Sequence, residues 1–159
     1  MIDIQLSTEI DKSAEECWKV FGNGYTDIYK WMSGVTSSIA EGEPFGDSPV
    51  GSRKLKAQGI TFSEKLVHFS NAERAFTYEV LGLPFVVKSA KNKWSFSESD
   101  GKATLNMHLR LQTATGFGWL LNGLLEKNMT KAMGKLHQEF KYYMEHGTVH
   151  PRKAKKLKK

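Results

Sequence analysis

The sequence predicts an α+β domain in which a curved antiparallel sheet of about seven strands wraps around one long C-terminal helix, with two short helices after the first strand. Three observations predict it. Residues 33–115 break into short strand-like runs punctuated by turn residues, a spacing that suits an antiparallel meander rather than strand–helix–strand units. Residues 119–146 carry one continuous apolar stripe at three- and four-residue spacing. Between the first strand and the meander, Ser13 and Glu16 form the Ser-x-x-Glu signature of a helix start.

The elements follow in order. Ile2, Ile4, Leu6 and Ile10 alternate with polar residues, the pattern of a half-buried strand over Ile2 to Ile10. The helix that starts after Ser13 reads AEECWKVF and lines up Ala14, Cys17, Trp18 and Phe21 on one face. Gly22-Asn23-Gly24 stops it, and Tyr25 to Met32 form a second short helix. Strands are expected at 35–42, 51–58, 60–69, 74–81, 86–98 and 103–113, with breaks at Glu43-Pro44, Ser70-Asn71, Gly82-Leu83-Pro84 and Asp100-Gly101. Asp100-Gly101, between two alternating runs, is the strongest hairpin signal. After Gly116-Phe117-Gly118 the long helix runs from Trp119 to about His146, with Leu121, Leu125, Met129, Ala132, Met133, Leu136, Phe140 and Met144 on its stripe. At about 1.5 Å per residue it extends roughly 40 Å, enough to cross a small sheet. A bent sheet and a straight helix diverge toward one end, and the divergence leaves a gap.

Composition narrows the function classes. At 159 residues with 40% hydrophobic and 25% charged content, the chain reads as one ordinary globular domain. The net charge of +6 is a property of the C-terminus, because six of the 23 basic residues (Arg152, Lys153, Lys155, Lys156, Lys158, Lys159) lie in residues 148–159 with no acid. The remaining 17 balance the 17 acidic residues of 1–147. The boundaries expected are therefore a domain over 1–147 and a disordered basic tail over 148–159. The tail offers weak contact with an anionic membrane, and nothing points to a specific nucleic-acid partner. Cys17 stands alone, which excludes a disulfide framework, and no signal peptide or membrane-spanning run is read, so a cytoplasmic protein is expected.

The stretch GITFSEKLVHFS, Gly59 to Ser70, resists the alternation rule. One face carries Ile60, Phe62, Glu64, Leu66 and His68; the other is polar at its start (Thr61, Ser63, Lys65) and apolar at its end (Val67, Phe69).

The strand-then-helix opening STEIDKSAEECWKVFGN, the run VGSRKL followed by ITFSEKLVHFSNAERAFTYEVL, Trp94 ahead of DGKATLNMHLRL, and the long C-terminal helix together resemble the START-like helix-grip superfamily. The resemblance is to its SRPBCC branch of polyketide cyclases/dehydrases and lipid-transport proteins, over residues 1 to about 146. It implies that the face carrying Glu64 lines a cavity between sheet and helix. By that carry-over Ile60, Phe62, Glu64, Leu66 and His68 look inward, followed by Phe76, Tyr78 and Val80, then by Ala90, Asn92, Trp94 and Phe96, with Lys91 and Lys93 outward. Leu105, Met107, Leu109 and Leu111 continue the lining, with His108 and Arg110 outward. Leu121, Leu125, Met129, Met133 and Leu136 close it from the helix. Such a mostly apolar wall suits a hydrophobic ligand with a polar handle.

Chemistry has few candidates. A buried, unpaired Glu64 has a raised pKa and serves as a general acid or base. A Glu64 paired with Arg53 or Lys88, or set in water at the mouth, does not; both readings stand at this point. His68 lies about 13 Å along the strand from Glu64, too far for a dyad, and reads as a solvent-edge residue. His68, His108, His137, His146 and His150 are too scattered for a metal site, and no cofactor motif is present. Cys17 reads as core filler, no nucleophile elbow occurs, and GNGY and GFG read as helix-end glycines rather than phosphate loops. Two functions follow from the resemblance. One is binding or transport of a lipid, sterol or aromatic, polyketide-like metabolite. The other is an aromatase/cyclase-like or dehydratase-like enzyme in which Glu64, Tyr78 or Asn92 moves protons. No acid–base pair assembles from the sequence, which favours binding. A protein-interaction role of the kind chaperone activators have on this fold finds no motif beyond the basic tail.

Overall fold

The computed structural model describes residues 1–116 and 120–159. Seven strands, β1 (Ile2–Ile10), β2 (Val35–Glu41), β3 (Ser52–Ala57), β4 (Ile60–Ser70), β5 (Ala75–Leu81), β6 (Val87–Ser99) and β7 (Lys102–Thr113), form one antiparallel sheet. Their spatial order is β1-β7-β6-β5-β4-β3-β2, so the meander runs β2 to β7 and β1 returns to pair with β7. Helix α1 (Ala14–Phe21) and a 3₁₀ helix (Tyr25–Lys30) follow β1, and α2 (Asn122–His146) is the long helix. Trp119, at the expected start of α2, and Phe117-Gly118 lie outside the described residues. None of the described helices is long and apolar enough to cross a membrane.

Local chemistry explains the boundaries. The Ser13 hydroxyl accepts from the Glu16 N–H, and the Glu16 carboxylate accepts from the Ser13 N–H, so both halves of the capping box form. At Gly22, the C-cap of α1, a Cβ would lie 2.4 Å from the Trp18 ring, so the position has no room for a side chain. Two hairpins use left-handed pairs: Asp100-Gly101 (φ 52° and 75°), as expected, and Gln58-Gly59 (φ 50° and 84°), which sequence reasoning passed over.

The mixed faces of residues 60–69 have a simple cause. Leu66 pairs with Tyr78 and His68 with Thr77, leaving Val67 as an unpaired extra residue. This bulge shifts the alternation by one, so Glu64 and Leu66 face inward before it and Phe69 after it. His68 is thereby turned outward, against the inward carry-over, with its Nε2 2.6 Å from Glu73 Oε2.

The expected disordered tail is corrected. Residues Pro151–Leu157 form a further helix, α3, capped by His150 Nδ1, which accepts from the Arg152 N–H at 3.1 Å. Its cations find buried acceptors: Arg152 Nε donates to Glu139 Oε1 (3.0 Å), Lys153 Nζ to the Val35 carbonyl (3.2 Å) and Lys156 Nζ to the Ser33 carbonyl (2.7 Å). Glu139 is 1% exposed and also accepts from the Ser33 N–H and hydroxyl. Self-repulsion was the reason to expect disorder. A buried carboxylate and two carbonyls offset it, and the domain extends through α3.

Candidate functional site

The space between sheet and α2 is solid at one end and hollow at the other. At the solid end Phe21 sits at the centre of an aromatic cluster, with ring centres 4.9 Å from Phe140, 5.0 Å from Trp94 and 5.8 Å from both Phe76 and Trp31. Trp18 and Phe69 continue it, 5.2 Å apart. At the other end the helix and the bent sheet diverge around a cavity of about 390 Å³.

Four walls line that cavity, which is partly open to solvent. Leu125, Asn128, Met129, Ala132, Met133 and Leu136 come from α2; Ile60, Phe62, Val80, Ala90, Trp94 and Leu109 from the sheet; Leu83, Pro84 and Val86 from the β5–β6 loop; and Ile28 and Met32 from the segment of the 3₁₀ helix. Among the residues expected to contact a ligand, Ile60, Phe62, Glu64, Tyr78, Val80, Trp94, Leu109, Leu125, Met129 and Met133 lie in this wall. Leu66, Phe76, Phe96 and Met107 do not. They are on the concave face but belong to the packed core, because the strands carrying them continue past the cavity into the solid end. Sequence reasoning missed the loop and 3₁₀ walls, since alternation along strands says nothing about what closes their ends. Of the helix residues given for the lid, Leu121 lies outside the wall and is exposed.

A polar strip crosses the apolar floor. Arg53 on β3 pairs in register with Glu64 on β4; Tyr78 on β5 pairs with Asn92 on β6. All four line the cavity and all are buried. Arg53 Nε and Nη2 both donate to Glu64 Oε2, at 2.8 and 2.6 Å, and Nη1 donates to the Tyr25 carbonyl. The guanidinium carbon lies 3.9 Å from the centre of the Tyr25 ring, and the Tyr25 hydroxyl donates to the Glu64 carbonyl at 3.0 Å. Burial works against the Arg53 charge, but the Glu64 carboxylate more than restores it and holds the guanidinium protonated. Glu64 is thus the partner of Arg53, and the open choice is settled in favour of the pair. Burial also raises the Tyr78 phenol, so its proton stays on. Among the described residues no group of three or more His, Cys, Asp or Glu side chains is placed to hold a metal.

His137, on α2 beneath Trp94, marks the boundary between hollow and core. Its ring centre lies 5.5 Å from that of Trp94 and its Nδ1 2.9 Å from Thr8 Oγ1. Burial pulls its pKa down to about 4. An unfolded histidine titrates near ~6.5, so between those values the unfolded chain binds a proton that the folded chain refuses. Stability is therefore full above about pH 6.5 and falls toward pH 4, by roughly 3 kcal/mol in all. Urea denaturation at pH 7, 5.5 and 4 should show this decline, and His137→Phe should flatten it.

Comparison with known proteins agrees with the geometry. The family model described as polyketide cyclase / dehydrase and lipid transport matches residues 1–145. A search of curated proteins found no match. Among solved structures, the protein XoxI from Bacillus cereus is 21% identical with a TM-score of 0.71, over 92% of this chain and 99% of that one. A START superfamily protein from Mycobacterium smegmatis is 14% identical with a TM-score of 0.70, over 93% and 100%. The di-domain ARO/CYC protein BexL is 9% identical with a TM-score of 0.69, over 90% of this chain and 47% of BexL. At these identities the structures establish a shared fold, the START-like helix grip. With the family model spanning nearly its whole length, the chain belongs to the polyketide cyclase/dehydrase and lipid-transport family.

Proposed function

We propose that the chain binds or transports a small hydrophobic molecule, a lipid, sterol or aromatic, polyketide-like metabolite, in the cavity beneath α2. The observation that carries this is the hollow itself. Protein interiors leave few voids larger than a water molecule, whereas this one measures about 390 Å³. Side chains lining a space of that size forgo packing partners on one side, which a fold selected only for stability would supply. Its wall is apolar apart from the strip of Arg53, Glu64, Tyr78 and Asn92 and the amides of Gln58 and Asn128. That composition suits a greasy ligand with one polar end.

The first half of α2 supports a route in. Leu121 at its N-cap supplies no side-chain cap, its first turn has no acid, and glycines stand at 123 and 134. Leu120, Leu121 and Leu124 are exposed there, and Phe85 in the β5–β6 loop is 91% exposed. The second half is anchored by buried Leu136, His137, Glu139 and Phe140. Local opening of the first half admits the ligand while the second half holds.

Binding is favoured over cyclisation or dehydration because the carboxylate available for proton transfer is committed to Arg53. The test is titration with apolar aromatic and steroid probes. The unaltered chain should bind one molecule saturably, and Ala132→Trp, which fills the cavity from the helix side, should lose that binding and keep its fold. Equal binding to both proteins would place the ligand elsewhere.

A further inference from the structure

Resting on the reading of the cavity as a ligand site, we propose that the ligand carries a hydroxyl group, seated between Tyr78 and Asn92, which donates to Asn92 Oδ1 and accepts from the Tyr78 hydroxyl. Five buried side-chain polar atoms have no hydrogen-bond partner among the described residues: Trp31 Nε1, Ser38 Oγ, Asn92 Oδ1, Asn122 Oδ1 and His137 Nε2. Asn92 is the one among them whose residue lines the cavity. It projects from the concave face of β6 and is 1% exposed. Leaving a buried amide oxygen unpaired is unfavourable by about 1–3 kcal/mol, so a strand position that keeps asparagine where leucine would pack points to a partner supplied from outside the chain.

The neighbouring phenol completes the arrangement. Tyr78 Oη accepts from Asn92 Nδ2 at 3.3 Å and from Trp94 Nε1 at 3.5 Å. Both lone pairs are thereby engaged, and no acceptor for the O–H proton is found among the described residues. Burial keeps that proton in place at neutral pH. Tyr78 and Asn92, adjacent in the cavity wall, thus hold between them one donor and one acceptor with no partner among the described residues. A carboxylate answers only the donor and leaves Asn92 Oδ1 facing a like lone pair; an ammonium answers only the acceptor. A hydroxyl satisfies both from a single atom. The alternative anionic handle would turn to Arg53, whose Nε, Nη1 and Nη2 already donate to Glu64 and the Tyr25 carbonyl.

The test compares 2-naphthol with 2-methylnaphthalene, which share a ring system and differ by a hydroxyl against a methyl group. Dissociation constants of both are measured for the full chain, for Asn92→Leu and for Tyr78→Phe. The measured quantity is the preference, the ratio of the two constants, because the difference in transfer from water cancels between proteins. The preference for 2-naphthol should fall about tenfold in each variant, the discrimination expected when buried polar partners are removed. Tyr78→Phe keeps the ring and the packing, so it decides the matter should Asn92→Leu fold poorly. Unchanged preference in the variants, with both compounds still bound, overturns the hydroxyl seat and leaves the cavity reading intact. Failure of the unaltered chain to bind either compound overturns both.

Discussion

Replacing Arg53 by methionine should destabilise the domain by about 3–5 kcal/mol, among the largest losses a single substitution can cause here. The reason is not the strength of the Arg53–Glu64 pair. Both side chains are nearly fully buried, at 4% and 7% side-chain exposure, so removing the guanidinium strands a carboxylate in the core. Arg53 also satisfies the Tyr25 carbonyl and lies against the Tyr25 ring, so the 3₁₀ helix that closes the cavity loosens with it. The double variant Arg53→Met, Glu64→Met should recover most of the loss, since two well-packed apolar residues replace two charges that were costly to bury. Urea denaturation of wild type, both single variants and the double variant checks this. A single variant that loses under about 1 kcal/mol would mean the pair is solvated through the cavity.

Ending the chain after Val149 should cost about 2–4 kcal/mol. Without α3, the Glu139 carboxylate keeps its bonds to Ser33 but loses its counter-charge, and the Ser33 and Val35 carbonyls lose their lysine donors. The figure lies below that for Arg53 because the Arg152 side chain is 35% exposed and water screens part of its attraction. Arg152→Met in the full chain should reproduce part of the loss and isolate the electrostatic share. An unchanged denaturation midpoint in the truncated chain would mean that α3 contributes nothing to the fold and that the basic run behaves as a solvated appendage.

Most of the architecture was legible in the sequence because it is written in local chemistry. The box at Ser13 and Glu16, the Asp100-Gly101 turn and the stripe on α2 from Leu125 onward each require only neighbouring residues, and each stands where the pattern put it; Leu121, at the N-cap of α2, is exposed instead. The sheet faces of β5, β6 and β7 were legible as well: Lys91 and Lys93 are exposed and Asn92 and Trp94 buried, because lysine is expensive to turn inward. What stayed hidden depends on contacts between distant segments. The bulge at Val67 has no local signature, yet it alone determines that His68 faces water and Phe69 the core. Glu139 sits on the inward side of α2 beside Phe140, and its need for a cation becomes visible only when α3 folds back onto it. The capping of α3 by His150 ahead of Pro151 is a local signal, but the charge run that follows it carries the opposite one, the signature of disorder. The cavity's extent was the hardest part. The concave face runs continuously from Phe96 and Phe76 to Val80 and Ile60, and only the aromatic cluster around Phe21 decides where filled core stops and open space begins.

The most direct test of the account follows the titration of an apolar ligand through the methyl resonances of the six methionines. Met32, Met129 and Met133 line the cavity, whereas Met1 is exposed and Met107 and Met144 pack outside the wall. The account predicts that the first three shift together and saturate at one equivalent while the other three hold still. Shifts confined to Met1, Met107 or Met144, or no shift at all with probes small enough to enter, would contradict it.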